Sequence, residues 1–413
     1  MLNAQIPRDV LETLYGLRQH GYQAYVVGGC VRDLLAAKVP HDWDICTDAL
    51  PSQVHACFAE RACASYGEKH GTVLVHTGER TVEITTFRQD GTYTDHRRPD
   101  GVHYVTNLMT DLRRRDFTVN AMAYTPEDGL IDPFSGEEDL QNHILRAVGD
   151  PVSRFSEDAL RILRGIRLSA LENLQIEPVT GEGMCQCAPL LTSISVERVF
   201  AEMQRFFLAP SARISELLHA YVPIWQTIFY ELGTDAETWC RIADVVVHTP
   251  VDAVVRWAAL FSNQPEPEQL AQCVLNRLHC PQDLCHQICA VLQWLHEDIP
   301  TDVSHMHYCI GIHGVQSTWQ WLQLRRAMAY ADTYEMQQLA RGEVAYHMVF
   351  SAHNCLSRSE LQISGQDLLD LGCTQGPELG AMLQKIYEEV LWEHLPNDHA
   401  ALLSYAQTQI PSS

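Results

Sequence analysis

The sequence predicts an α+β chain: a small mixed head over residues 1–145, followed by helices to the end. Two observations carry this reading. Short runs rich in β-branched residues, alternating or continuously apolar, fall before residue 90. From Ser156 onward such runs fade, and segments 195–208, 251–262, 283–296 and 317–341 show helical spacing with Gly and Pro between them. A chain of 413 residues suits about two to four units sharing several cores.

The head reads in order. Residues 11–20 form a short amphipathic helix, and residues 24–27 an apolar strand ending at Gly28-Gly29. Residues 43–46, 72–76 and 81–87 suit further strands. There is no internal repeat or low-complexity stretch.

Composition sets limits. At 46% hydrophobic and 20% charged, the chain is neither disordered nor fibrous. No apolar run approaches the roughly 20 residues that cross a bilayer. The first eight residues lack the apolar stretch of a signal peptide, so a cytoplasmic location with no membrane partner is expected. The 14 cysteines fit a reducing compartment. Cys280, Cys285, His286 and Cys289 are the nearest approach to a metal cluster, and buried thiols in a helical core are the expectation there, as for Cys185 and Cys187.

Charge is uneven. The chain carries −23, with 18 basic and 24 acidic groups before residue 168 and 11 basic and 28 acidic after it. Such a balance argues against nonspecific wrapping of nucleic acid. It leaves room for a local arginine-rich cleft, and the head is where one would lie.

The densest chemistry is Gly28-Gly29-Cys30-Val31-Arg32-Asp33 followed by Asp42-Trp43-Asp44. On a strand, residues two apart face one side, so Asp42 and Asp44 would project two carboxylates into one site. Hard Mg²⁺ prefers such oxygens together with substrate phosphates. Two ions roughly 3.5–4 Å apart can activate a hydroxyl and hold a leaving pyrophosphate. Gly28 and Gly29 let backbone N–H groups approach a triphosphate, and Arg32 adds a charge-assisted contact.

These residues resemble the nucleotidyltransferase signature of the DNA polymerase beta superfamily, which implies a polymerase-beta-like head. Arg113-Arg114-Arg115-Asp116-Phe117-Thr118-Val119-Asn120, Asp132-Pro133-Phe134 and Arg154-Phe155-Ser156-Glu157-Asp158-Ala159-Leu160-Arg161 narrow the resemblance. They look like motifs of the class II CCA-adding enzymes and bacterial poly(A) polymerases. The resemblance is strong over about residues 1–210 and weaker over 355–405. It implies that Arg115 contacts the incoming nucleotide and that Asp116 and Asn120 position that region. Glu83, on a candidate strand near the paired carboxylates, is either a third catalytic carboxylate or a structural partner for Arg88. Arg164 and Arg167 continue the helix at steps of three, toward phosphates or the RNA end or in a structural role.

The Glu157-Asp158-x-x-Arg161 block is expected on one helix, with Asp158 and Arg161 as neighbours. Asp accepts and Arg donates. Cytosine and adenine each show an amino donor beside a ring acceptor, which this pair satisfies. Uracil and guanine invert the pattern, and unpaired buried groups can discriminate by factors of roughly 10⁴.

The resemblance implies template-independent addition of CCA to a tRNA 3′ end from CTP and ATP, with release of pyrophosphate, as the expected activity. The segment 90–111, with Tyr93-Thr94-Asp95-His96-Arg97-Arg98-Pro99, resembles the family's loop for adding A after CC. An enzyme adding A alone remains the alternative. A poly(A) polymerase is disfavoured because the chain end lacks a basic tail. Phe261-Ser262-Asn263 stands where some relatives carry the His-Asp of a metal phosphohydrolase, so no such hydrolase activity is expected. The resemblance implies four parts: head 1–145, helical neck 146–212 for nucleotide recognition, helical body 213–345 with a degenerate HD-like region, and tail 346–413 gripping the tRNA elbow. In the tail, Gly365, Gly376 and Gly380 open candidate RNA-phosphate contacts or serve as structural glycines.

Overall fold

The computed structural model describes residues 5–64, 71–91, 102–233, 235–351 and 355–410. The chain divides into two compact units, one of Met1–Ala209 with Ala220–Tyr230, the other of Pro210–His219 with Glu231–Ser413. The 93–99 stretch lies outside the described residues.

Among the described residues, the N-terminal part of the first unit, up to Ile131, holds nine strands: β1 (Ala24–Val27), β2 (Trp43–Thr47), β3 (Cys63–Ala64), β4 (Thr72–His76), β5 (Thr81–Thr86), β6 (Arg88–Asp90), β7 (Val102–Tyr104), β8 (Ala123–Thr125) and β9 (Gly129–Ile131). Seven of them form one sheet in the order β3-β4-β5-β2-β1-β8-β9. Every neighbouring pair in it is antiparallel except β2 and β5, which run parallel with Asp44 opposite Glu83. β6 and β7 form a separate antiparallel ladder.

The sheet is buried on both faces near β1, whose four residues are all buried. One face carries Val26, Ile45, Val73, Val82 and Ile84. They pack against helices α1 (Arg8–Gln19), through Val10, Leu14 and Leu17, and α2 (Gly29–Leu35), through Cys30, Val31 and Leu34. The other face carries Tyr25, Val27, Cys46 and Phe87 against Leu108 and Leu112 of a helix at Leu108–Arg113. Because strand side chains alternate, Trp43 and Ile45 enter the first core and Asp44 shares the second face with Cys46. Asp42 precedes β2 rather than lying on it.

A tight approach locks the end of the head. Gly136 opens a helix at Gly136–Gln141, and its N–H donates to Asp132 Oδ1 at 2.8 Å. A Cβ on Gly136 would sit 2.2 Å from the Thr118 carbonyl oxygen. Gly136→Ala is therefore expected to destabilise the fold by about 1–3 kcal/mol in a chemical denaturation curve. A loss below about 0.5 kcal/mol, the range of a neutral surface change, would contradict this packing.

Beyond the head, strand pairing does not end where the sequence signal fades. Ile144–Leu145 pairs in parallel with Gln175–Ile176, a two-residue ladder too short to leave a pattern. The helices of this region are Pro151–Glu157, Leu160–Glu172, Pro178–Cys187 and Val196–Phe206.

The second unit is helical among its described residues. Trp239, Trp257, Phe261 and Trp321 are fully buried there. The segment expected as one helix over 317–341 is two, Val315–Met328 and Thr333–Ser351. Asp332 separates them, its Oδ1 accepting the Tyr334 and Glu335 N–H groups as an N-cap. A smaller core holds Leu361, Ile363, Leu368, Ile386, Tyr387, Leu391 and Leu402. All 14 cysteines are free thiols. Burial pushes the Cys280 and Cys289 thiols up to about 12, with Cys285 adding to it in both cases. Among the described residues no helix is long and apolar enough to cross a membrane.

Candidate active site

Chain reversal at the end of β1 builds the first wall of the site. Gly28 takes φ +84°, a conformation that L side chains rarely adopt. A Cβ there would lie 3.0 Å from Arg115 Nη1 and 3.7 Å from Asp44 Oδ2. The missing side chain thus leaves the space in which a guanidinium and a carboxylate come together. Arg32, one turn further on, is held by Asp33 Oδ1 at 2.7 Å and by Asn120 Oδ1 at 2.8 Å.

These groups line a cavity of about 620 Å³ within the first unit. Gly28, Gly29, Arg32, Asp42, Asp44, Arg115, Asp158, Arg161, Arg164 and Arg167 all border it. With Asp116 and Asn120, which border it too, twelve of the thirteen residues given a site role from the sequence share one cavity. Glu83 is the one that does not border it, though its Cα is paired with that of Asp44 on the adjacent strand. Reading from sequence overlooked Arg88, Arg114 and Arg198 as lining residues. Arg114 could have been found in the Arg113-Arg114-Arg115 run. Arg198 is brought in only by tertiary packing.

Among the described residues the lining holds eight arginines against six carboxylates, in a chain whose net charge is −23. A cavity of reversed sign within an acidic molecule focuses anions toward itself. On one side of it the carboxylates crowd. Burial, then repulsion by Glu83 and Asp42, pushes the Asp44 carboxyl up to about 6, although Arg115 and Arg164 oppose this. Burial and Asp42 also raise Glu83, while Arg88 pulls it down. Glu83 therefore senses both the acidic pair and Arg88.

Crowded carboxylate oxygens of this kind suit a hard dication, which relieves their repulsion. Among the described residues no group of three His, Cys, Asp or Glu side chains gathers closely enough to hold a metal, so Asp42, Asp44 and Glu83 do not form a three-ligand cage. A site of one or two carboxylates completed by phosphate oxygens and water is the usual form for Mg²⁺. Arg115 suits an anionic group as well: its Nε is buried with no hydrogen-bond partner among the described residues.

A polar chain runs along the wall. Arg32 donates to Asn120, Asn120 Nδ2 donates to Asp116 Oδ1 at 3.3 Å, and Arg164 donates to Asp116 Oδ2 at 2.8 Å. Burial alone would raise the Asp116 carboxyl, but Arg164 and Arg161 hold it well below the usual carboxylate range. Arg167 is fixed by Glu202 at 2.6 Å.

The structure corrects the expected helix through Glu157-Asp158-x-x-Arg161. The helix stops at Glu157, Asp158 is extended at φ −139°, ψ 103°, and a new helix starts at Leu160. Asp158 Oδ1 accepts the Leu160 N–H at 3.1 Å, turning the expected interior residue into a junction. Its Oδ2 accepts from Arg198 at 3.0 Å, not from Arg161. Arg161 instead donates to Glu157 Oε2 at 2.5 Å and to the carbonyls of Arg154 and Arg114, each at 3.0 Å. Both side chains still face the same cavity.

A sheet that sets paired carboxylates beside a glycine reversal, with an arginine-lined cavity under a helical segment, is the arrangement of a nucleotidyltransferase. Models of known families agree along the chain: a Poly A polymerase head domain matches residues 24–146, an RNA and SrmB-binding site of polymerase A matches 173–221, and a tRNA nucleotidyltransferase domain 2 matches 251–406. The CCA-adding enzyme of Streptococcus gordonii is 33% identical, covering 96% of each chain. That of Streptococcus agalactiae is 35% identical over 97% of this chain and 96% of its own. The crystal structure of the Bacillus stearothermophilus CCA-adding enzyme in complex with CTP is similar with a TM-score of 0.79 at 28% identity, covering 97% of each chain. This chain belongs to the CCA-adding enzyme family.

Proposed function

We propose that this protein adds CCA to tRNA 3′ ends by transferring CMP and AMP from CTP and ATP, releasing pyrophosphate, with Asp42 and Asp44 holding Mg²⁺. The observation that carries this reading is the single cavity in which Asp42 and Asp44 share walls with Asp158, Arg161 and a row of arginines. When bound, Mg²⁺ supplies Lewis-acid stabilisation of the attacking 3′-oxygen and of the departing pyrophosphate.

The residues themselves do the rest. Asp42 and Asp44 help to take the proton from the terminal 3′-hydroxyl, and Glu83 adds negative potential behind them. Gly28, Gly29 and Arg32 hold the triphosphate, and Arg115 reaches it across the Gly28 gap. Transfer is direct, so charge stabilisation and positioning carry the catalysis. Asp158 accepts from the amino group of cytosine or adenine. Arg161 donates to the neighbouring ring nitrogen with N–H groups beyond those given to Glu157, Arg154 and Arg114. Arg164 and Arg167 extend the cationic wall toward the phosphates and the RNA end.

In this reading the head (1–145) and neck (146–212) perform the chemistry, the body (213–345) spans the middle of the chain, and the tail (346–413) grips the tRNA elbow. The cytoplasm is the setting this substrate implies. Product length tests the activity. Transfer RNA ending just before CCA should gain two residues with CTP alone and three with CTP and ATP together. No extension with CTP alone, combined with single-A addition to tRNA ending in CC, would mean an A-adding enzyme. A long A tail would mean a poly(A) polymerase.

A further inference from the structure

We propose that Asp111 is a positioning residue of the nucleotide site, a buried carboxylate that fixes how Arg114 and Arg115 present their guanidinium groups to the cavity. The proposal deepens the function given above and rests on it. Asp111 lies on the helix Leu108–Arg113 and its side chain is 0% exposed. It does not border the cavity, so it acts only through its partners.

Three residues meet at this one carboxylate, two from the end of its own helix and one from β6. Arg114 reaches its Oδ1 from Nε at 2.9 Å and from Nη2 at 2.8 Å. The main-chain N–H of Arg88, the first residue of β6, donates to the same oxygen at 3.2 Å. Arg115 Nη2 stands 3.4 Å from Oδ2. Arg88, Arg114 and Arg115 are all lining residues. Asp111 therefore ties three arginines of the cavity to a common point.

Its electrostatics fit a working role. Burial would neutralise the carboxyl, yet Arg114 and Arg115 hold it below its ordinary range, so it stays charged. A buried ion pair contributes little net stability compared with an apolar replacement of the same size. What it does contribute is geometry. The guanidinium of Arg115 sits over Gly28 next to Asp44, where a small rotation would move a positive charge away from the reacting end. Without Asp111, Arg115 would be left with Asp44 as a competing anion beside it, and the two would pair at the expense of the substrate.

The test is steady-state kinetics of Asp111→Asn on tRNA lacking CCA, with melting temperature measured alongside. The expected result is a rise in KM of about tenfold for both CTP and ATP, with kcat changed by less than about threefold. Discrimination against UTP and GTP should be unchanged, because Asp158 is untouched. Arg115→Gln should also raise KM, and the double variant should fall well short of the product of the two effects, as residues acting through one contact do. An unchanged KM in a folded Asp111→Asn protein, or fully multiplicative effects, would overturn the proposal. If Asp111→Asn does not fold, Asp111→Glu keeps the charge and carries the test: a raised KM supports the proposal and an unchanged KM overturns it. A wild-type protein that fails to extend tRNA would instead sink the function on which the proposal rests.

Discussion

Asp44→Asn is expected to lower kcat for nucleotide transfer by about a thousandfold or more, a barrier increase of about 4 kcal/mol, while leaving the fold intact. Asp42→Ala should do the same. The reason lies in the sheet. Trp43 and Ile45 anchor β2 in one core, so the intervening Asp44 is driven to the opposite face with no freedom to turn away. There burial, and then repulsion by Glu83 and Asp42, raises its carboxyl to about 6. A merely structural carboxylate would be stabilised by its neighbours, as Asp116 is by Arg164 and Arg161. Asp44 is placed against its own electrostatic preference, as functional residues often are. Removing its charge should therefore hold or raise the melting temperature while activity collapses. A variant that loses stability and activity together would show a structural role instead.

The second large effect concerns base choice. Asp158→Asn is expected to reduce discrimination of CTP and ATP over UTP and GTP by about a hundredfold or more. Ionised Asp accepts only, whereas Asn can turn its amide to donate to the carbonyl of uracil or guanine. The break between two helices matters here. Leu160 N–H and Arg198 hold both oxygens of Asp158 in a fixed orientation, so the acceptor pattern is set before a base arrives. Competition assays with all four nucleotides check this. Intact discrimination in a folded Asp158→Asn protein would remove Asp158 from base recognition.

The same residues show what could be read in advance. The strands around Asp44 were legible because apolar residues at fixed alternation leave a local pattern. Gly28, Arg32, Asp42 and Asp44 were legible because a glycine reversal and paired carboxylates lie within 17 residues of one another. The junction at Asp158 was not, since the Glu157-Asp158-x-x-Arg161 spacing also fits one helix, and the break shows only in the contacts that Asp158 makes to the Leu160 N–H and to Arg198. Arg198 is forty positions from its partner Asp158, a distance over which no periodicity speaks. The split at 329–332 carries a local signal, an Asp placed to cap Thr333–Ser351. The acidic second half is partly explained in the same terms. Asp235, Asp252, Asp302, Asp332 and Asp398 each accept N–H groups at the start of a helix, where negative charge is favourable.

The decisive measurement is anomalous diffraction from crystals grown with CTP and Mn²⁺ in place of Mg²⁺. A metal peak touching both Asp42 and Asp44 and the nucleotide phosphates, with the cytosine edge against Asp158 and Arg161, is the predicted result. Bound CTP with no metal at the two carboxylates, or with those carboxylates directed into separate surroundings, would contradict it.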